Sequence, residues 1–306
     1  MNEKTKAYLA AVSFSAIIGF SFLFTKIALG YASPLTNLAH RYTIAALVMV
    51  VLHQTKLIKV SLSRKDILSI LSILSILPMS LFYPLFFFIF QSFALQYISS
   101  SEAGILQALV PIFTLLLASV FLKEKTSFLQ KFFLFLSVAG VVFIFLSKGA
   151  NFGTETASFG FLLMLGSVLA NAINNILSKA KGDRYRAMDM TAVVIFVGFV
   201  TFNTLSLTSH YLDGNILAYF VPFGQLPYLI SILYLGILAS IVTGSLSIYA
   251  IVRLGASTVS VFGNLGTVLT IVAGAIILHE PIYSYHVIGA TMIIAGILGM
   301  NLMRKK

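Results

Sequence analysis

SSSEAGILQALVPIFTLLLASVFLKEK, residues 99–125, and GASTVSVFGNLGTVLTIVAGAIILHEP, residues 255–281, decide the fold of this chain. Each stretch is a long apolar run that ends on a Leu-x-Glu signature. When Glu124 is aligned with Glu280, identical residues also coincide upstream: the pairs are Ser101/Ser257, Leu109/Leu265, Thr114/Thr270 and Leu122/Leu278. The chain therefore contains an internal duplication, with one copy of the signature in each half.

The composition excludes a water-soluble domain. Of the 306 residues, 59% are hydrophobic and 9% are charged, whereas soluble domains carry about 25% charged residues. The mean hydropathy is +1.00, and the apolar runs have the length that an α-helix needs to cross a bilayer. They lack the alternation of a β-barrel strand, and the first run is too long for a cleaved signal peptide. We therefore expect an all-α polytopic membrane protein.

The apolar runs predict ten transmembrane helices. The third run contains Pro78 and Pro84 and is expected to be tilted, kinked or broken. The predicted spans are 6–29, 34–53, 66–97, 99–122, 128–147, 158–180, 189–211, 226–252, 255–278 and 284–303.

The basic residues predict the orientation. The net charge of +11 lies in short clusters between apolar runs, and most of these clusters fall on one side if the N-terminus is cytoplasmic. By the positive-inside rule, both termini are cytoplasmic. Five helices per half is an odd number, so the second half enters the membrane inverted, with Glu124 inside and Glu280 outside. We divide the chain into repeats 1–150 and 151–306. Duplication with inversion is typical of secondary transporters.

Several short motifs recur in order along the two halves. They are Gly19-Phe20-Ser21-Phe22 followed by Lys26, Pro34 followed by Arg41, Ala94-Leu95-Gln96-Tyr97, Ser101-Glu102-Ala103-Gly104, and Pro111 before Leu122-x-Glu124. In the second half, Lys179 takes the place of Lys26, Ala250 that of Ala94, and Leu278-x-Glu280 closes the pattern. This ordered set resembles the drug/metabolite transporter superfamily, in its EamA-type ten-helix branch.

The resemblance implies an alternating-access carrier with a central cavity lined mainly by helices one to four and six to nine. Two positions depart from the family pattern: Ile18 stands where an aromatic residue is usual, and Thr267 stands opposite Pro111 where a second proline is expected. Both positions fall near the implied cavity. We therefore do not infer the substrate of this chain from that of a relative.

Polar side chains inside apolar helices predict the substrate cavity, because such groups are costly in lipid unless they face protein or water. Asn171, Asn174, Asn175 and Ser178 share one face of the sixth helix. They are compatible with interhelical hydrogen bonds, with cavity lining, or with both. Further candidates are Ser21, Gln91, Gln107, Pro111, Asn264 and Thr267. The dense aromatic residues of the third helix are expected mainly to pack or to face lipid, with a few available for a cavity wall.

Three charged residues lie toward the outer helix ends: Lys26, Arg41 and Glu102. Snorkelling or an ion pair, such as Arg41 with Glu102, explains them structurally, and an outer gate or a carboxylate site explains them functionally. No acidic residue falls at the centre of a predicted span, which favours a neutral or zwitterionic solute over a drug cation exchanged for protons.

The expected function is therefore a secondary transporter in the cytoplasmic membrane, most simply an exporter of amino acids or similar solutes. Import of a nutrient or quaternary amine, and drug efflux, remain alternatives in the same fold. The chain has no cysteine and five scattered histidines, so we expect no catalytic residue, no metal site and no cofactor. The expected partners are a small solute and the lipid bilayer, not nucleic acid, with the protein a monomer or a homodimer.

Overall fold

The computed structural model describes residues 2–58, 75–98, 100–107, 109–123, 127–147, 155–182, 184–277 and 283–302. Within these ranges the secondary structure is helical, as the sequence predicts. Ten helices follow the predicted order: α1 Glu3–Leu29, α2 Pro34–Gln54, α3 Ser75–Tyr97, α4 with segments Ser100–Gln107 and Val110–Phe121, α5 Phe128–Ser147, α6 Glu155–Gly182, α7 Ala187–Leu212, α8 Leu226–Leu254, α9 Ala256–Ile277 and α10 Ser284–Leu302. The predicted start of α3 at residue 66, and both Glu124 and Glu280, lie outside the described residues.

Local signals explain where the helices begin. Ser33 caps α2 by accepting a hydrogen bond from the Thr36 amide, and Pro34 occupies the first turn, where its missing N–H costs nothing. Asn2 accepts from the Lys4 amide at the start of α1 in the same way. Six of the helices in the described part of the chain are long and apolar enough to span a bilayer, namely α1, α2, α3, α6, α7 and α8.

Three helices are irregular near their middles. In α3, Tyr83 leaves helical geometry at φ −138° and ψ 109°, directly before Pro84, so the predicted break is confirmed. In α4, the regular helical hydrogen-bond pattern is interrupted near Pro111, which has no N–H to donate to the Gln107 carbonyl. In α8, residues Tyr234–Val242 form a π-helical stretch. Tyr83 of α3, Val110 of α4, and Ala239 and Ser240 of α8 lie in or next to these irregular stretches and line the central cavity.

The helices pack in pairs that join the two halves of the sequence. The principal contacts are those of α1 with α8 and α9, α2 with α7, α3 with α6, and α5 with α10. Glycines allow the closest approaches: a Cβ atom on Gly19 would lie 2.8 Å from the Gly266 carbonyl oxygen, and one on Gly140 would lie 2.7 Å from that of Gly289. The aromatic side chains of Phe128, Phe132 and Phe135 are exposed along α5, as suits a helix that faces lipid.

The same lysine contact occurs in both halves of the chain. The Lys26 ammonium at the end of α1 donates to the carbonyls of Leu95 and Ile98, at 2.6 and 3.1 Å, where α3 ends. The Lys179 ammonium near the end of α6 donates at 2.6 Å to the carbonyl of Val252, where α8 ends. Each lysine thus satisfies orphan carbonyls at a helix C-terminus and complements its negative dipole.

Candidate functional site

A central cavity lies where α1–α4 meet α6–α9, the helices that the family resemblance implies. The volume that the centres of water molecules can reach is about 110 Å³, several times the space that one water needs. Apolar side chains form most of the wall. The polar lining consists of Ser21, Arg41, Gln91, Gln107, Asn171, Asn174, Asn175, Thr191, Ser240, Thr243, Ser247 and Ser260, with Tyr42 and Tyr83.

The asparagine face of α6 meets the polar face of α4. The Asn171 amide donates to the Gln107 side-chain oxygen at 3.4 Å, and the Gln107 amide donates to the Ser167 hydroxyl at 3.0 Å. The Asn175 amide donates to the Thr114 hydroxyl at 3.4 Å. The two sequence interpretations are thus compatible, because these amides both line the cavity and hold α4 against α6.

Asn174 differs from its two neighbours on α6. Its side chain is 8% exposed, and its amide oxygen Oδ1 is buried without a hydrogen-bond partner. An unpaired acceptor in an apolar interior costs about 1–3 kcal/mol. Since Asn174 lines the cavity, a solute that donates a hydrogen bond would recover this cost.

Arg41 contributes a guanidinium group to the cavity wall. Its Nε donates to the Ser240 hydroxyl at 2.8 Å and its Nη2 to the Ala239 carbonyl at 3.0 Å. Both acceptors belong to the π-helical stretch of α8, whose altered register displaces backbone carbonyls from their usual partners. The side chain is 4% exposed, and among the described residues no carboxylate lies within ion-pairing distance of it.

Aromatic rings surround this guanidinium. Its central carbon lies 4.0 Å from the centroid of the Phe88 ring, which fits a cation–π contact. Phe87, Tyr42 and Tyr83 line the same cavity, and the Tyr42 and Phe88 rings meet edge to face with centroids 5.9 Å apart. Part of the aromatic run of α3, at and after the break at Tyr83, therefore faces the cavity.

Several predicted cavity residues take other positions. Ser178 is buried below the lining, with its hydroxyl 3.9 Å from the Met79 sulfur. Asn264 is turned toward α5, where its amide donates to the Ser137 hydroxyl at 2.7 Å. Pro111 is buried beside the lining residue Val110. The described lining therefore differs from the prediction at these positions. The predicted residues Ser21 and Gln91 do line the cavity, and so does Ile18, which stands where the family usually has an aromatic residue. The side chain of Thr267 lies outside the described ones.

Two of the three predicted gate residues, Lys26 and Arg41, lie in separate places. Lys26 holds the end of α3, and Arg41 lies in the cavity wall. The side chain of Glu102 is outside the described set. Sequence reasoning missed Ser240, Thr191 and Ser260 as lining residues. For Ser240 the sequence carries no signal, because its position depends on the π-helical register of α8.

Comparisons with known proteins agree with this architecture. The model of the EamA-like transporter family matches residues 5–146 and 158–302. Over 306 residues the chain is 43% identical to an uncharacterized transporter, YcxC, of Bacillus subtilis, covering 100% of this chain and 96% of the relative. It is 27% identical to YvbV of the same organism, also an uncharacterized transporter, covering 99% and 93%.

A solved structure described only as "Crystal structure of protein" superimposes with a TM-score of 0.74 at 17% identity, over 98% of this chain and 97% of the other. That similarity shows the shared fold. The family match over both halves and the whole-length relatives show more: this chain belongs to the EamA-like transporter family.

Proposed function

We propose that the protein is an alternating-access exporter of amino acids or similar neutral and zwitterionic solutes across the cytoplasmic membrane. The observation that carries the proposal is the central cavity, in which amides of α4 and α6 face a space of small-molecule size inside an apolar helix bundle. Neutral amides offer both hydrogen-bond donors and acceptors to a polar solute.

The proposed movement is a rocking of the repeats 1–150 and 151–306 about this cavity. The glycine contact of Gly19 with Gly266 supports it, because a crossing of two backbones without intervening side chains allows one helix to pivot on the other. The irregular stretches of α3, α4 and α8 supply further points where a helix bends without losing additional hydrogen bonds. The cavity would then open to one side of the membrane at a time.

Import of a quaternary amine is the second candidate, and the aromatic wall of Tyr42, Tyr83, Phe87 and Phe88 favours it. However, the charge of Arg41 lies in the same wall and already occupies the face of Phe88. Repulsion between like charges therefore disfavours a solute that carries only a positive charge. A betaine, which also has a carboxylate, remains compatible with this candidate.

Flux through the purified protein tests the proposal. Proteoliposomes loaded with the twenty common amino acids should release some of them faster than protein-free liposomes, and Asn174→Leu should abolish this release while the protein still folds. Thr204→Val is the control, since Thr204 is exposed on α7 and its hydroxyl donates to the Val200 carbonyl. Unchanged release by the Asn174 variant would exclude the assigned cavity. Whole cells that contain the protein would accumulate the solute if it is an importer and release the solute if it is an exporter.

A further inference from the structure

The charged and amide groups of the cavity define a class of solute more narrowly than the fold does. We propose that the transported solutes carry a carboxylate, which Arg41 binds, together with a hydrogen-bond donor such as an ammonium group, which Asn174 Oδ1 accepts. This assignment of substrate class rests on the transport function proposed above.

The carboxylate end follows from the bonding of Arg41. Its hydrogen bonds go to a hydroxyl and a carbonyl oxygen, which are neutral acceptors, and its ring contact with Phe88 is also neutral. A buried cation without a counter-charge is costly. Two of the guanidinium N–H groups are engaged in these bonds, and the others are available to a carboxylate in the fork geometry that suits arginine.

The donor end follows from Asn174. Its Oδ1 is buried and unpaired, and the residue lines the same cavity as Arg41. The neighbouring side chains of Asn171 and Asn175 are oriented by hydrogen bonds that their amide N–H groups donate to α4. Asn174 thus offers an acceptor to the solute, whereas Arg41 offers donors. Tyr42, Tyr83 and Phe87 supply an apolar surface for the remainder of the solute.

Matched analogues of the amino acid that is transported fastest test the carboxylate. Wild-type protein should transport the amino acid at least about tenfold better, as kcat/KM, than its amide and its decarboxylated amine, because a hydrogen bond to a charged group is lost in both. Arg41→Gln should remove this preference, and Arg41→Lys should restore part of it. Equal transport of the three compounds by the wild type would overturn the proposal and leave the transport function standing.

A second pair of compounds tests whether Asn174 Oδ1 accepts a hydrogen bond from the solute. The desamino analogue keeps the carboxylate and lacks the ammonium group, so the wild type should bind it at least about tenfold more weakly than the amino acid. In Asn174→Leu this ratio should fall toward one, while Asn264→Leu should keep it, because the Asn264 side chain is bonded to Ser137 and does not line the cavity. A ratio unchanged in Asn174→Leu would overturn the assignment of Oδ1.

Ligand-induced thermal stabilisation covers the cases in which flux is absent or Arg41→Gln does not fold. Wild-type protein is heated with millimolar short carboxylates, amino acids, amines or neutral amides. Stabilisation by the carboxylate-bearing compounds alone supports the proposal. Equal stabilisation by amines, or none by any carboxylate, overturns it. Absence of amino acid flux together with carboxylate stabilisation would instead contradict the proposed transport function.

Discussion

The hydroxyl of Ser240 helps to fix the direction of the Arg41 guanidinium. It accepts from Arg41 Nε at 2.8 Å and donates to the Leu235 carbonyl at 2.8 Å. We predict that Ser240→Ala raises the KM for the transported solute about tenfold or more, because one charge-assisted hydrogen bond contributes about 1.5–3 kcal/mol.

Ser231→Ala is the matched control for this variant, since Ser231 is also buried on α8 and its hydroxyl donates to the Pro227 carbonyl within the helix. Its KM should stay within about twofold of the wild type. Concentration-dependent flux in proteoliposomes provides both values. An equal rise of KM in the two variants would assign the effect to α8 in general.

Asn264 allows a second prediction at the residue scale. The change to leucine is the same as in Asn174→Leu, but the Asn264 side chain is turned toward Ser137 and does not line the cavity. We expect Asn264→Leu to preserve the KM and to change the free energy of unfolding by less than about 1 kcal/mol, since the lost hydrogen bond to Ser137 is offset by removal of the buried, unpaired Asn264 Oδ1. Flux assays and thermal unfolding measure the two quantities. Loss of solute binding without loss of stability would place Asn264 in the site after all.

The positions of these residues show how much of the site was predictable from the sequence. The helical spacing of Asn171, Asn174 and Asn175 was sufficient to place them on one face, and that face lines the cavity. Spacing alone does not say which neighbouring helix a face meets, so Asn264 could not be assigned to α5. The contact of Arg41 with Ser240 joins residues far apart in the sequence through a π-helical stretch, and no local pattern predicts such a register.

At the scale of helices, the lysines that hold the ends of α3 and α8 should stabilise the fold. We predict that Lys26→Met lowers the melting temperature by several degrees and that Lys179→Met lowers it less. Lys26 satisfies two carbonyls, those of Leu95 and Ile98, whereas Lys179 satisfies that of Val252. Lys4→Met is the control, because its side chain is exposed. Equal melting temperatures for all three variants would contradict this account of the helix ends.

The crossing of α1 and α9 gives another test at this scale. A methyl group on Gly19 would approach the Gly266 carbonyl oxygen to 2.8 Å and the Leu269 Cβ to 3.0 Å. We therefore expect Gly19→Ala to destabilise the protein by about 1–3 kcal/mol, as overpacking does. Gly263→Ala on α9 meets nothing within 4 Å and should not destabilise it, since alanine favours helix. Thermal unfolding in detergent compares the stability of the two variants. A Gly19→Ala variant as stable as the wild type would contradict this account of the crossing of α1 and α9.

Helix positions were predictable because twenty apolar residues in succession leave the backbone few alternatives in lipid. The break of α3 was also predictable, since Pro84 marks it. The π-helical stretch of α8 was not, because Tyr234–Val242 contains no proline. This stretch packs against α1 and α2, and packing between distant helices leaves no trace in the local sequence.

At the scale of the whole molecule, the inverted duplication predicts which side of the membrane each loop occupies. The chain contains no cysteine, so single cysteines report on each loop without background labelling. Thr55 and Arg184 are exposed in the turns after α2 and α6, which we predict to be cytoplasmic. Tyr31 and Asp213 are exposed in the turns after α1 and α7, which we predict to face outward.

Each of these four positions is changed to cysteine, and intact cells are treated with a membrane-impermeant maleimide. Tyr31→Cys and Asp213→Cys should be labelled in intact cells, whereas Thr55→Cys and Arg184→Cys should react only after the membrane is opened. The positive-inside rule and the odd number of helices per half require this pattern. If Tyr31→Cys and Asp213→Cys were labelled from opposite sides, the second half would not be inverted, and rocking about a shared cavity would lose its basis.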